Sequence, residues 1–371
     1  MTDTMPGILD SHTVATRDSE TRIWLIDAMQ RIEADYNRSS DTHLHKLDLG
    51  GLDGINIYLK DEAIHPTGSL KHRLARSLIL YGLCGGRIGP KTTLIEASSG
   101  STAVSESYFA KLLGLPFIAV VPKGTSPEKL SEITRYGGRA VEVEPGEIYT
   151  EAARLEAETG GYYLDQFTNA ERATDWRSNN NIAESLLQQM ELEPHPVPDW
   201  IVVGAGTGGT SATIGRYLRY RSETYATTLV CVADPENSVF FDGFKTDDET
   251  LTACCRSRIE GVGRPRMEPS FIRPVIDRML KISDAASIAT MRWLKDRTGR
   301  RFGPSTGLNV YASLKLALEM QHEGRQGSIV TLICDNGNRY EDSCYNDGWL
   351  ASHGIAISPH FDCLKAFEPK P

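Results

Sequence analysis

Three short segments carry residue types that could do chemistry together. Gly204-Ala205-Gly206-Thr207-Gly208-Gly209-Thr210 follows the strand-like run WIVV and opens a stretch of helical period through Ile214 and Leu218. Glycines let such a turn take positive φ and approach a ligand closely, while its N–H groups and the helix dipole favour a phosphate. Which phosphate stays open at this point: Gly204, Gly206 and Gly209 also satisfy G-x-G-x-x-G, and Asp234 ends the next strand, so a dinucleotide site has to be weighed. No Lys-Ser/Thr pair follows the glycines, which excludes a nucleoside-triphosphate loop. Upstream, Pro66-Thr67-Gly68-Ser69-Leu70-Lys71 places a turn and a Ser69 cap ahead of a lysine in the first turn of a helix. The dipole penalises an ammonium there and relatively favours the neutral or covalently modified amine. The third segment, Ser98-Ser99-Gly100-Ser101-Thr102, offers hydroxyl and N–H groups at another helix start, where a carboxylate fits. Taken singly, each segment also reads as ordinary structure: a strand-to-helix turn, a solvated lysine, a capping loop.

Loops of this kind need a scaffold that brings them to one place. Short β-branched runs at Ile55–Leu59, Thr92–Ile95, Phe117–Val121, Ala140–Val143, Trp200–Val203, Thr228–Val232 and Ile329–Ile333 alternate with stretches of helical period. That alternation predicts an α/β fold with a mostly parallel sheet covered by helices. Val104, Tyr108 and Leu112 would share one helix face toward the core, as would Leu74, Leu78 and Tyr81. Ahead of these, Ile23, Leu25, Ile26, Met29 and Ile32 predict an amphipathic helix in an arm covering residues 1–45. From 351 to 371 the pattern dissolves into a loosely held tail.

Composition narrows the function classes. The 371 residues carry 40 Lys and Arg against 49 Asp and Glu, a net charge of -9, with no basic run to attract nucleic acid or an anionic membrane. The longest apolar run, near Leu112–Val121, is about half the roughly 20 residues a spanning helix needs, and no secretory signal opens the chain. A cytoplasmic enzyme is expected. Seven scattered cysteines without C-x-x-C suit reduced thiols, with Cys84, Cys231 and Cys334 as packed side chains, and no metal site is expected, His43 and His45 lacking partners.

Together the loops supply one amine, one phosphate cradle and one carboxylate cradle, which is what an aldehyde cofactor acting on an amino acid requires. From about Leu47 to Leu350 the chain resembles the pyridoxal-phosphate enzymes of the cysteine synthase and cystathionine β-synthase family, fold type II, and within it the cysteine desulfhydrases. DEAIHPTGSLKHR, EASSGSTAVSESYFAKLLGLPFIAVVP, SPEKLSEITRYGGRAVEV, LDQFTNAER, GAGTGGT, IEGVG and FGPSTG follow one another in the family's order. The dinucleotide reading, by contrast, leaves Lys71 and the serine loop without work.

The resemblance implies two three-layer αβα domains with mostly parallel twisted sheets: a smaller, mobile domain over 60–175 and a larger one over 46–59 and 176–350. It implies that Lys71 holds pyridoxal 5′-phosphate as a Schiff base and then moves the proton. Gly206, Thr207, Gly208, Gly209 and Thr210 would bind the phosphate, and Ser305 the pyridine nitrogen. Ser98, Ser99, Gly100, Thr102 and Gln166 would receive the carboxylate of a small amino-acid substrate. Ser101 stands where the family usually has an asparagine beside the cofactor's phenolic oxygen, a departure that argues against a standard cysteine synthase. The expected reaction is β-elimination on L-cysteine, giving sulfide, pyruvate and ammonia, with O-acetylserine sulfhydrylase the alternative. Family members are commonly homodimers.

Overall fold

The structure, a computed structural model, describes residues 19–39, 41–177, 181–254 and 257–368. Among the described residues, ten strands form two sheets. β1 (Leu44–Leu47), β2 (Ile55–Asp61), β7 (Trp200–Gly204), β8 (Leu229–Pro235), β9 (Arg278–Ile282) and β10 (Gly327–Ile333) lie in the order β1-β2-β10-β7-β8-β9. Every pairing in this sheet is parallel except β1 with β2. β3 (Leu94–Glu96), β4 (Phe117–Pro122), β5 (Arg139–Val143) and β6 (Tyr162–Tyr163) form a wholly parallel sheet in the order β5-β4-β3-β6. All seven expected strands are present. β1, β6 and β9 are additional: β6 has only two residues, and in β9 Met279 and Ile282 are buried among partly exposed neighbours, so neither run announces itself.

The parallel order follows from burial. In β10 every residue from Gly327 to Ile333 is buried, and β7 is nearly so, because helices cover both faces of the larger sheet. Its two faces pack into separate clusters, one holding Ile57, Val202 and Ile329, the other Ile201, Val203 and Val330.

Among the described residues, eight α-helices lie between residues 19 and 220: α1 (Ser19–Arg38), α2 (Lys71–Cys84), α3 (Ser101–Leu113), α4 (Pro127–Arg135), α5 (Ile148–Thr159), α6 (Gln166–Ala173), α7 (Ile182–Met190) and α8 (Gly209–Tyr220). The expected arm splits in two. Residues 1–18 lie outside the described residues, while α1 docks on α2 and α3 through Ala28 and Ile32. On α2 the core stripe is Ala75, Leu78, Ile79 and Leu83, at the spacing of one helical face, and Tyr81 is turned outward. The tail also departs from expectation. Helix Ser358–Leu364 and the turn after it bury Leu364 and Phe367 in the larger sheet's core, so a short amphipathic segment with few apolar residues is still held firmly.

Candidate active site

The end of β10 and the start of α2 fix Lys71. Gly68, the αL residue of the PTGSLK turn (φ +73), accepts the N–H of Asn336, and Leu70 N–H donates to the Cys334 carbonyl at 2.8 Å. Regular helix begins at Lys71 and the cap position is Leu70, which has no side-chain cap bond; Ser69, expected as the cap, stands one residue earlier, where its Oγ accepts the Lys71 N–H at 3.3 Å. Two residues on, the Arg73 guanidinium grips buried Glu62 at 2.6 and 3.0 Å and reaches Asp41 at 2.9 Å. That pair ties the first turn of α2 to the end of β2, and it holds the Glu62 carboxyl well below its ordinary range despite burial.

The glycine turn between β7 and α8 faces this lysine. A Cβ on Gly206 would stand 2.2 Å from the Gly261 carbonyl oxygen and 3.9 Å from Lys71 Nζ. Only glycine fits there, and the distance places the amine beside the turn. Gly208 has φ +91 and precedes the first turn of α8, whose leading N–H groups have no acceptor within the helix. A backbone cradle at a helix N-terminus, closed to any side chain, suits a phosphate. Desolvation, with Arg264 adding to it, pulls the Lys71 amine down to about 8, against partial opposition from Cys334, Glu106 and Glu96. An amine so lowered is partly neutral near neutral pH and able to condense with an aldehyde or take a proton.

The serine loop runs from β3 into α3. Thr102 Oγ1 donates to Gln166 Oε1 at 2.7 Å, joining the two segments expected to receive a carboxylate. Gln166 opens α6 directly after Asp165, whose φ of +46 is a left-handed conformation that aspartate tolerates. Ser101 Oγ accepts a hydrogen bond from the Arg339 guanidinium, which itself lies 3.3 Å from Glu132 of α4. Ser305, the second residue of helix Pro304–His322, is buried beside the Cys334 thiol.

These residues surround one cavity of about 500 Å³. Lys71, Ser98, Ser99, Gly100, Ser101, Thr102, Gln166, Gly206, Thr207, Gly208, Thr210 and Ser305 all line it. Gly209 does not line it but borders a smaller hollow that shares Lys71, Thr207 and Thr210 with this cavity. The pieces fit pyridoxal phosphate: a desolvated amine, an anion cradle that a Cβ would fill, and a neutral hydroxyl across from it. The dinucleotide reading finds no support. Asp234 is fully buried, its Oδ2 accepts the Phe241 N–H at 2.9 Å, and burial lifts its carboxyl to about 7.

Several lining residues escaped sequence reasoning. Cys334, read as a packed thiol, borders the cavity, and burial together with Asp335 pushes its thiol up to about 12, so it stays protonated. Cys84 is exposed, Cys231 is buried as expected, and Cys255 lies outside the described residues. Arg264 stacks over Phe167 at 4.0 Å and donates to the Tyr149 hydroxyl at 2.7 Å. Lys129 meets Glu260 at 3.0 Å across the mouth. Glu260 and Arg264 stand in irregular loops that give no periodicity to read, and Lys129 on α4 reads by itself as a solvated helix charge.

Comparison with known proteins agrees with this geometry. Residues 39–335 match the family described as pyridoxal-phosphate dependent enzyme. The chain is 56% identical to the L-cysteine desulfhydrase Cds1 of Mycobacterium tuberculosis, over 94% of this chain and 96% of that one. It is 29% identical to cysteine synthase B of Campylobacter jejuni, over 77% of this chain and 90% of that one. Among solved structures, a hydrogen sulfide-producing enzyme of Fusobacterium nucleatum superposes with a TM-score of 0.78 at 22% identity, covering 92% of this chain and 98% of that one, which shows the shared fold.

Proposed function

The chain belongs to the pyridoxal-phosphate dependent enzymes, and from that premise we propose that it is an L-cysteine desulfhydrase, converting L-cysteine and water to sulfide, pyruvate and ammonia. The observation that carries the reading is the placement of the Lys71 amine against Gly206, with the serine loop and Ser305 on the same cavity. Similarity to a desulfhydrase over nearly the whole chain supports the choice of reaction, while likeness to cysteine synthases is at lower identity.

When bound, the cofactor supplies an electron sink that stabilises negative charge at the substrate's α-carbon. Lys71 would hold its aldehyde carbon. Thr207, Gly208, Gly209 and Thr210, with Gly206 allowing the close approach, would hold its phosphate through backbone N–H groups. Ser305 would meet the pyridine nitrogen and, being neutral, would leave it without a charged partner. Ser98, Ser99, Gly100, Thr102 and Gln166 would bind and orient the substrate carboxylate. The Lys71 amine, lowered to about 8, would be the group that takes the substrate's α-proton. With that proton removed, the Cβ–S bond would break to release sulfide, and water would convert the three-carbon remainder to pyruvate and ammonia. Ser101, held by Arg339, would offer a hydroxyl to the phenolic oxygen in place of an amide.

Whether the remainder meets water or a second nucleophile depends on how well the cavity excludes solvent. The smaller domain, taken as 60–175, would close over the larger one, taken as 46–59 and 176–350, through the Lys129–Glu260 and Arg339–Glu132 pairs. A homodimeric, cytoplasmic enzyme is part of the same reading. The exposed Ile23 and Ile26 of α1 give an apolar surface consistent with a second copy, and among the described residues no helix is long and apolar enough to cross a membrane.

Incubation of the purified protein with L-cysteine, and separately with O-acetylserine plus sulfide, tests the reading. Release of pyruvate and sulfide from cysteine is the expected result. Net cysteine from the second mixture, with no pyruvate from the first, would make it a synthase.

A further inference from the structure

Beneath the carboxylate-receiving edge of the cavity lie two wholly buried glutamates, Glu96 at the end of β3 and Glu106 on α3. Glu106 is one helical turn after Thr102, on the same face of α3. Their environments differ. Glu96 Oε1 accepts the Ala97 N–H at 2.8 Å and its Oε2 accepts the Gln166 N–H at 3.1 Å. Both oxygens of Glu106 are buried and no donor among the described residues reaches either. A buried carboxylate without a donor is strongly disfavoured, and a second carboxylate beside it makes ionisation worse. Glu106 therefore keeps its proton, and the acceptor in reach is Glu96.

We propose that Glu106 is a positioning residue for substrate binding: protonated, it donates to Glu96, whose remaining bonds fix the backbone of Gln166 and the start of the serine loop.

The chain of contacts is short. Glu106 holds Glu96, Glu96 holds the Gln166 N–H, and the Gln166 side chain accepts from Thr102, which lies in the first turn of the helix carrying Glu106. The ring closes under the site where the substrate carboxylate is to bind. Its charge state matters as much as its geometry, because two ionised carboxylates there would repel an anionic substrate group, whereas a proton-sharing pair carries at most one charge. The charged and titratable groups facing the pair are Lys71 from α2, Asp165 from the turn before α6 and Tyr163 from β6. Lys71 favours ionisation of Glu106, but burial and Glu96 outweigh it, and the Glu106 carboxyl stands well above its ordinary range.

This inference rests on the desulfhydrase reading for its substrate, so wild-type pyruvate and sulfide formation from L-cysteine is measured first; the infrared arm needs no turnover and separates the two. In the cofactor-loaded protein at neutral pH, the infrared difference between wild type and Glu106→Gln should show the band of a protonated carboxyl group that the variant lacks. Glu106→Gln keeps a donor and should hold KM for L-cysteine within about threefold, while Glu106→Leu should raise KM about tenfold or more with kcat changed less than about threefold. Absence of the band from the difference spectrum overturns the proposal. So does a Glu106→Gln variant of normal melting temperature whose KM rises about tenfold, or a folded Glu106→Leu variant whose KM stays at the wild-type value. Should Glu106→Leu fail to fold, the infrared and Glu106→Gln arms decide alone.

Discussion

At the residue scale, the reading depends on one nitrogen. Lys71 is lowered by desolvation and sits beside a turn into which no side chain fits. Lys71→Ala should abolish the visible absorption that the wild type shows on saturation with pyridoxal phosphate, and pyruvate formation should fall at least about 10²-fold, the lower end for a general base. An unchanged visible band would assign the cofactor to another lysine. Gly206→Ala tests the cradle separately. Its methyl group would stand 2.2 Å from the Gly261 carbonyl oxygen, which is backbone and has little room to yield. Overpacking of this kind costs about 1–3 kcal/mol, and because the turn itself must move, the variant should also bind pyridoxal phosphate more weakly, read as a higher dissociation constant in a spectroscopic titration.

At the scale of elements, legibility tracked sequence locality. The strand runs around Phe117 and Ile329 and the three loops are contiguous, so their patterns could be read directly, and all seven expected strands are present. What joins the loops is not contiguous. Arg339 reaches Ser101 across 238 positions, and Glu96 meets Gln166 across 70. Arg339 stands in none of the quoted blocks, and Glu106, although inside the serine-loop block, sits in the run AVSES and reads as a solvated helix residue until the packing of α3 on its sheet is known. The tail was misjudged for a related reason. Ser358–Leu364 is too short for periodicity to be convincing, and its stability comes from docking against the larger sheet rather than from helix propensity. Leu364 is 1% exposed. Leu364→Ala should therefore cost about 2–5 kcal/mol in urea denaturation, as truncation at a packed core site does, whereas a loosely held tail would leave the midpoint unmoved.

For the molecule as a whole, the buried acids set a pH dependence whose sign can be worked out. Burial lifts Glu96 to about 8, Asp234 to about 7 and Glu106 well above the usual carboxylate range. Each is an acid whose folded pKa exceeds its unfolded one, so between those values the native state binds more protons than the unfolded state. Stability then falls as pH rises through that interval. Opposing groups act elsewhere. Glu62 is held low by Arg73, so its contribution is lost on acidification below the ordinary glutamate range, and His72, lowered to about 3 chiefly by burial, acts between there and 6.5. Lys60 and Lys71, both lowered to about 8 by burial, begin to favour folding only as pH rises above 8. From pH 6.5 to 8 the buried acids act without these offsets, and the urea midpoint of cofactor-free protein should decline across that window. Glu106→Gln removes one of these acids while keeping a donor toward Glu96, so the decline should be shallower in that variant. A midpoint that rises across the same window in the wild type would show that the pair under the serine loop is ionised in the folded state, and the proton-sharing arrangement there would have to be abandoned.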